Sequence, residues 1–267
     1  MAIRTKTGLE EVKAVYGGPE GVLWKLIMGE QIHLGGFQSS MDLAERAGIQ
    51  SGMRGIDLCC CNGAGMRFLV RFRGVSTMLG VDATPQMVEL GKRLCEEEGM
   101  SEKITFHLSD CTSSGLPGQM ADFIWGEDAW CYVVDKAKLI SEAARMVEPG
   151  GIIAFTDWVE GKPGLTDKEA ERYFAFMKFP NVESLEGYGK LLEKSGCEVV
   201  TALDTGRFAP CVDLYIQMLS RQLTYDALKI ISFNKGMMEF LAGEMAFMKT
   251  LTDSGKIAQG LIVARKK

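Results

Sequence analysis

The sequence has 267 residues, a size for one core with embellishments rather than two full domains. Its 46% apolar and 24% charged residues, with 31 Gly and 7 Pro, exclude a disordered or collagen-like chain. A net charge of −5 leaves no broad cationic field for a nucleic acid. Eight cysteines are too few for a disulfide scaffold, yet three are consecutive: Cys59, Cys60 and Cys61. No stretch has the roughly 18 apolar residues that span a bilayer. The charged start lacks the apolar region of a signal peptide. A soluble, cytoplasmic protein with reduced thiols is expected.

In chain order, about 50 residues with Tyr16, Trp24 and His33 precede the first expected strand. That strand, 54–58, runs past the cysteines into the small-residue turn Asn62-Gly63-Ala64-Gly65, and helical spacing follows over 66–70. Such a turn lets a ligand approach the backbone and meet the N–H groups of a helix start. A strand at 77–81 ends in Asp82, a helix covers 85–98, and a strand at 104–107 closes on Asp110-Cys111. Next come a strand at 121–126, a helix at 135–147, a turn at 148–151 and a strand at 152–155. Helices are expected at 167–177 and 181–196, a strand at 197–203, a long helical block at 211–248 and a last strand at 261–264. Strands alternating with helices imply a doubly wound, mostly parallel seven-stranded α/β sheet, with ligands bound beyond the carboxyl ends of its strands.

A metal reading of the triplet is weak. Adjacent cysteines on an extended strand point to opposite faces, no second pair has zinc spacing, and His33 and His107 are the only histidines. No metal is expected. A dinucleotide would need G-x-G-x-x-G after the first strand; Asp82 lies 25 residues after Asp57, but that glycine pattern is missing. Acidic strand ends suit S-adenosylmethionine, which has no phosphate.

Four motifs then carry a resemblance. Asp57-Leu58-Cys59-Cys60-Cys61-Asn62-Gly63 resembles the Asp/Glu-x-Gly-x-Gly-x-Gly motif of class I S-adenosylmethionine-dependent methyltransferases. Asp82-Ala83-Thr84-Pro85-Gln86-Met87 is similar to their second motif, Asp110-Cys111 to their third, and residues 145–151 to the turn before their fifth strand. The resemblance implies a Rossmann-like fold with S-adenosylmethionine as donor and S-adenosylhomocysteine as product. It also implies a cofactor site of Asp57, Cys59, Cys61, Gly63, Asp82, Ala83, Met87, Asp110, Cys111 and Gly126. In that family the Asp82 equivalent holds the ribose hydroxyls, the Met87 equivalent packs on adenine and the Asp110 position reads the adenine edge. Cys59 and Cys61 replace the first two glycines. The expectation is a β-region loop that tolerates cysteine; the alternatives are a shifted pocket or weakened cofactor binding.

Ile32-His33-Leu34-Gly35, Glu127-Asp128-Ala129-Trp130 and the tail Ser254-Gly255-Lys256 resemble the small-molecule branch that contains sarcosine/dimethylglycine methyltransferases. That likeness implies N-methylation of a small amine or amino acid, with C-, O- or S-methylation or a non-catalytic cofactor-binding protein as alternatives. His33, Tyr132 and Glu127 are the candidate catalytic residues, and Tyr16, Trp130 and Asp157 the candidate acceptor contacts. Each has a plainer reading. His33 could be a satisfied structural histidine, Tyr132 an amphipathic wall residue, and Glu127 and Asp128 helix caps. His107 reads as structural, and Pro210-Cys211 as a helix start rather than a nucleophile. Redox regulation through residues 59–61 is a third hypothesis. The expected layout is an N-terminal helical acceptor-side segment 1–50, a cofactor-binding core 51–205, a helical lid 206–255 and the last core strand 256–267. The expected partner is a small-molecule acceptor, with neither nucleic acid nor a membrane span; a homo-oligomer is left open.

Overall fold

The computed structural model describes residues 7–16 and 19–267, without the side chains of Leu9, Val15, Tyr16 and Pro19. Three helices come first: α1 (Leu9–Tyr16), α2 (Pro19–Met28) and α3 (Gly36–Arg46). Strands and helices then alternate through β1 (Arg54–Leu58), α4 (Ala64–Arg73), β2 (Thr77–Asp82), α5 (Pro85–Glu97), β3 (Ile104–Leu108), β4 (Ala121–Glu127), α6 (Lys136–Met146) and β5 (Val147–Glu160). Helices α7 (Asp167–Met177) and α8 (Leu185–Lys194) lead to β6 (Cys197–Asp204). Helices α9 (Phe208–Arg221), α10 (Thr224–Ile230) and α11 (Lys235–Asp253) separate β6 from β7 (Ile257–Lys266).

The seven strands form one sheet in the order β3-β2-β1-β4-β5-β7-β6. It is parallel through β5, and β7 enters antiparallel between β5 and β6. The mostly parallel seven-stranded sheet expected from the sequence is the one that forms. Its strand order turns back between β1 and β4, which opens a crevice beyond their carboxyl ends. Both faces are covered, so the strands are apolar on both sides. On one face Leu139, Ile140 and Ala143 of α6 and Tyr188 and Leu192 of α8 pack on Ile56 and Ile124. On the other, Leu43 of α3, Leu69 of α4 and Cys95 of α5 pack on Phe123 and Met78. A third cluster under the α9–α11 insertion joins Trp158, Phe179, Phe208 and Met248. Fully burying each such side chain contributes about 1.5–3 kcal/mol. Among the described residues no helix is long and apolar enough to cross a membrane.

Several boundaries differ from expectation. β5 starts at Val147 because the turn at 148–151 is absorbed as a bulge: Ala121 pairs with Val147 but Phe123 with Ile152. It also continues to Glu160, since β7 pairs with it over 152–160. The helix expected over 181–196 starts only at Leu185, capped by the Ser184 hydroxyl. Asn181 instead faces the buried Lys136 ammonium, accepting from it at 2.7 Å. The long helical block is three helices, broken where Ser232 and Phe233 turn left-handed before Asn234 caps α11. Pro210 lies in the first turn of α9, as the helix-start reading expects.

Candidate functional site

The loop after β1 is fixed by its backbone. Val81 C=O accepts from Cys59 N–H (2.8 Å) and Cys60 N–H (3.2 Å). Asp82 accepts from Cys61 N–H through one carboxylate oxygen and from Thr84 N–H through the other, both at 2.8 Å. These bonds draw the chain into a path with φ of 65° at Cys59 and 50° at Cys61, so the β-region expectation is corrected. The loop takes the left-handed conformation glycines would take, and each Cβ there costs about 1–2 kcal/mol. Successive side chains go to opposite sides. Cys59 Sγ rests 3.4 Å from Cys111 Sγ. Cys60 Sγ is directed to the other face, where a Cβ on Gly80 would come within 2.5 Å of it.

Beyond this loop lies a cavity of about 220 Å³ at the carboxyl ends of β1, β2 and β4. Asp57, Cys59 and Cys61 line it together with Asp82, Ala83 and Met87, and the β3 loop contributes Asp110 and Cys111. Asp110 accepts from the N–H and the hydroxyl of Thr112, both at 2.8 Å, which shapes that loop. Seven Asp and Glu side chains line the cavity against one lysine, Lys138. Burial, then the charges of Glu127 and Asp82, pushes the Asp57 carboxyl well above the usual carboxylate range. Asp82 is raised by burial too, against the N–H bonds it accepts. A cationic ligand would lower both again, so the cavity favours positive charge.

His33, Tyr132 and Glu127 line the same cavity, with Glu127 close to Asp57: a Cβ on Gly65 would meet both carboxylates. Ser40 of α3 links two of them: its hydroxyl donates to Glu127 Oε1 at 2.6 Å and lies 3.2 Å from His33 Nε2. Gln31 Nε2 donates to the same hydroxyl oxygen at 3.0 Å. His33 is 4% exposed, and its Nε2 is 3.4 Å from Glu127 Oε1. Because the Ser40 proton is committed to Glu127, His33 Nε2 is assigned as a donor. Tyr132 meets the Phe179 ring edge-on at 4.9 Å. Gly65, in the first turn of α4, lies so close that an added Cβ would stand 2.6 Å from Glu127 Oε2. Ser40 and Gly65 were not among the sequence candidates; only the packing of α3 and α4 against β4 reveals them.

Other candidates lie elsewhere. Trp130 is fully buried, stacks on Phe155 at 4.0 Å and donates from its indole to Leu58 C=O at 3.2 Å, so it does not wall the cavity. Gly126 makes room for that indole, which an added Cβ would strike, and does not line the cavity. Gly63 caps α4 at φ 74°, with Phe106 2.7 Å from any added Cβ, and is likewise outside it. Asp157 is fully buried and accepts from Cys131 N–H (2.9 Å) and Tyr188 O–H (2.5 Å), a structural post rather than an acceptor contact. Asp128 caps no helix: it accepts from Leu34 N–H at 2.8 Å and from Gln259 Nε2 at 2.9 Å, tying the His33 segment to β7. His107 Nε2 lies 3.0 Å from Ser114 C=O, a structural role. The Tyr16 side chain lies outside the described residues.

Residues 56–155 match the family described as a methyltransferase domain. This part of the chain is a methyltransferase domain. The resemblance to class I S-adenosylmethionine-dependent methyltransferases is thereby borne out. Phosphoethanolamine N-methyltransferase 1 of Triticum aestivum is 25% identical over 205 residues, covering 76% of this chain and 39% of the relative. The chain thus spans about two fifths of that relative's length. A protein described as a sarcosine dimethylglycine methyltransferase, from Galdieria sulphuraria, superposes with a TM-score of 0.83 at 19% identity, over 93% of this chain and 97% of that one. Phosphoethanolamine N-methyltransferase 2 of Haemonchus contortus, solved with phosphomonomethylethanolamine and S-adenosylhomocysteine, gives 0.81 at 17% identity, over 97% and 58%. At these identities the structures share the fold of the methyltransferase domain.

Proposed function

We propose that the chain uses S-adenosylmethionine to methylate the nitrogen of a small amine or amino acid such as sarcosine or dimethylglycine. The observation that carries this reading is the cavity itself, rich in carboxylates and lined by Glu127 and His33, which the buried Ser40 hydroxyl links from behind. A relative named as a phosphoethanolamine N-methyltransferase agrees with it.

The chain's residues fit the cofactor. The β1 loop follows a glycine-like path despite its thiols, and Asp82 stands at the end of β2 where ribose hydroxyls would meet it. Met87 and Ala83 supply an apolar wall for a base, and Asp110 an acceptor at its edge. When bound, S-adenosylmethionine supplies a methyl group on a sulfonium, already a good leaving group. The protein is then left to align the acceptor, exclude water and remove a proton. Glu127 is placed to attract an ammonium and to take its proton, with the Ser40 hydroxyl and His33 holding the carboxylate in place. Tyr132 is placed to bound the acceptor from the side of Phe179.

Incubation with methyl-labelled S-adenosylmethionine and glycine, sarcosine or dimethylglycine is expected to give labelled N-methyl product. Label only on phenols, prenyl diphosphates or thioethers would reassign the acceptor. Absence of calorimetric heat and of any thermal shift with millimolar S-adenosylmethionine would remove the cofactor reading altogether. One observation favours a second reading, a non-catalytic cofactor-binding protein: a Cβ at both left-handed positions of the β1 loop. Tight binding without transfer to any acceptor of a cell extract would support it.

A further inference from the structure

Two thiols in the cavity wall are already in contact. Cys59 follows β1 and Cys111 follows β3, and their sulfurs are 3.4 Å apart. A disulfide needs about 2.05 Å between sulfurs, so rotation of the two side chains with a small approach of the loops would close one. Neither sulfur is occupied elsewhere as a structural disulfide. Cys60 and Cys61 are differently placed: Cys60 Sγ lies 3.7 Å from Cys61 C=O and is directed to the opposite face. The contact depends on Cys59 itself, because a glycine in that left-handed position would have no sulfur to offer.

We propose that Cys59 and Cys111 form an oxidisable dithiol, closing to a disulfide with hydrogen peroxide and thereby weakening S-adenosylmethionine binding. One sulfur, as thiolate, attacks an oxygen of hydrogen peroxide; the O–O bond breaks, and the departing hydroxide takes up the proton that the thiol released and leaves as water, giving a sulfenic acid. The second sulfur attacks the first, the S–O bond breaks, and the hydroxyl leaves as water with the second thiol's proton. Two thiols and hydrogen peroxide thus become one disulfide and two waters. Closure pulls together the β1 and β3 loops, which meet in the cavity wall that Cys59 and Cys111 both line. The Cys61 N–H bond to Asp82 lies two residues away, so the shift reaches the ribose position. The contact with Cys111, then burial, raises the Cys59 thiol, which makes thiolate scarce at neutral pH. The rate is therefore expected to rise about tenfold per pH unit.

The closure itself is independent of the cofactor reading; the effect on binding rests on it. The whole protein is treated with hydrogen peroxide, alkylated and digested with trypsin without reduction. Expected is a cross-link between peptide 55–67 and peptide 104–136, placed by fragmentation at Cys59 and Cys111 rather than at Cys60, Cys61 or Cys131. The same link should persist in Cys60→Ser and vanish in Cys111→Ser. A link at another pair, or both thiols alkylated while peroxide is consumed, overturns the proposal. Isothermal titration of oxidised and dithiothreitol-restored protein should give affinities for S-adenosylmethionine differing by about tenfold. Equal affinities would overturn the effect on binding while leaving the cross-link standing. No heat in either form would instead indict the cofactor reading.

Discussion

Cys61 pays a conformational cost at φ 50° that a glycine would not. Removing its Cβ recovers about 1–2 kcal/mol, less about 0.4–1 kcal/mol for the freer unfolded chain. Cys61→Gly is accordingly expected to raise stability by about 0.5–1 kcal/mol in urea denaturation, and to bind S-adenosylmethionine at least as tightly as the parent. Markedly weaker binding would give the thiol a role of its own. Asp157 makes a second prediction. Its carboxyl titrates near 4 in an unfolded chain and at about 6 in the folded protein, pushed up chiefly by burial. Between those values the folded state holds a proton that the unfolded state has lost. Stability therefore falls as pH rises through that window, by about 3 kcal/mol in all. Asp157→Asn keeps an acceptor for Cys131 N–H and should abolish this slope, as urea midpoints at about pH 4, 5, 6 and 7 would reveal.

At the scale of elements, α3 and α9 are joined by Arg207, whose guanidinium donates to Asp42 at 2.6 Å while its chain lies against Gly35. Both groups are about one-fifth exposed, so Arg207→Met should cost no more than about 1 kcal/mol of global stability. Its effect should fall on the His33 segment instead, seen as faster proteolysis between α2 and α3 and a higher KM for the acceptor with kcat little changed. The order of strands and helices was legible in the sequence, because their periods and acidic strand ends are local signals. Strand lengths were not: β5 and β7 extend each other by long-range pairing. The same distinction separates the site residues. Asp57, Asp82 and Asp110 could be read from strand ends, whereas Ser40 emerges only once α3 lies against Glu127. Trp130 was misread because the room left at Gly126 turns its ring inward. The loop conformation at Cys59 and Cys61 was misread because a carboxylate 21 residues beyond Cys61 imposes it.

For the whole molecule, the position of β7 decides when folding can finish. The strand formed by 257–266 lies inside the sheet, with β5 on one side and β6 on the other. Gln259 within it also holds Leu34 C=O at 3.1 Å, a bond across 225 residues. A chain shortened after residue 256 should therefore lose cooperative unfolding rather than a peripheral element, which a flat denaturation profile by near-ultraviolet circular dichroism would register. During synthesis, β1 to β4 can pair as they emerge, but β5 and β6 must wait with open edges until nearly the whole described chain has been made. Nascent chains stalled in the α9–α11 insertion should be the ones that chaperones and proteases find. A mutation that slows β7 would then reduce yield in the cell before it altered any property of the folded protein.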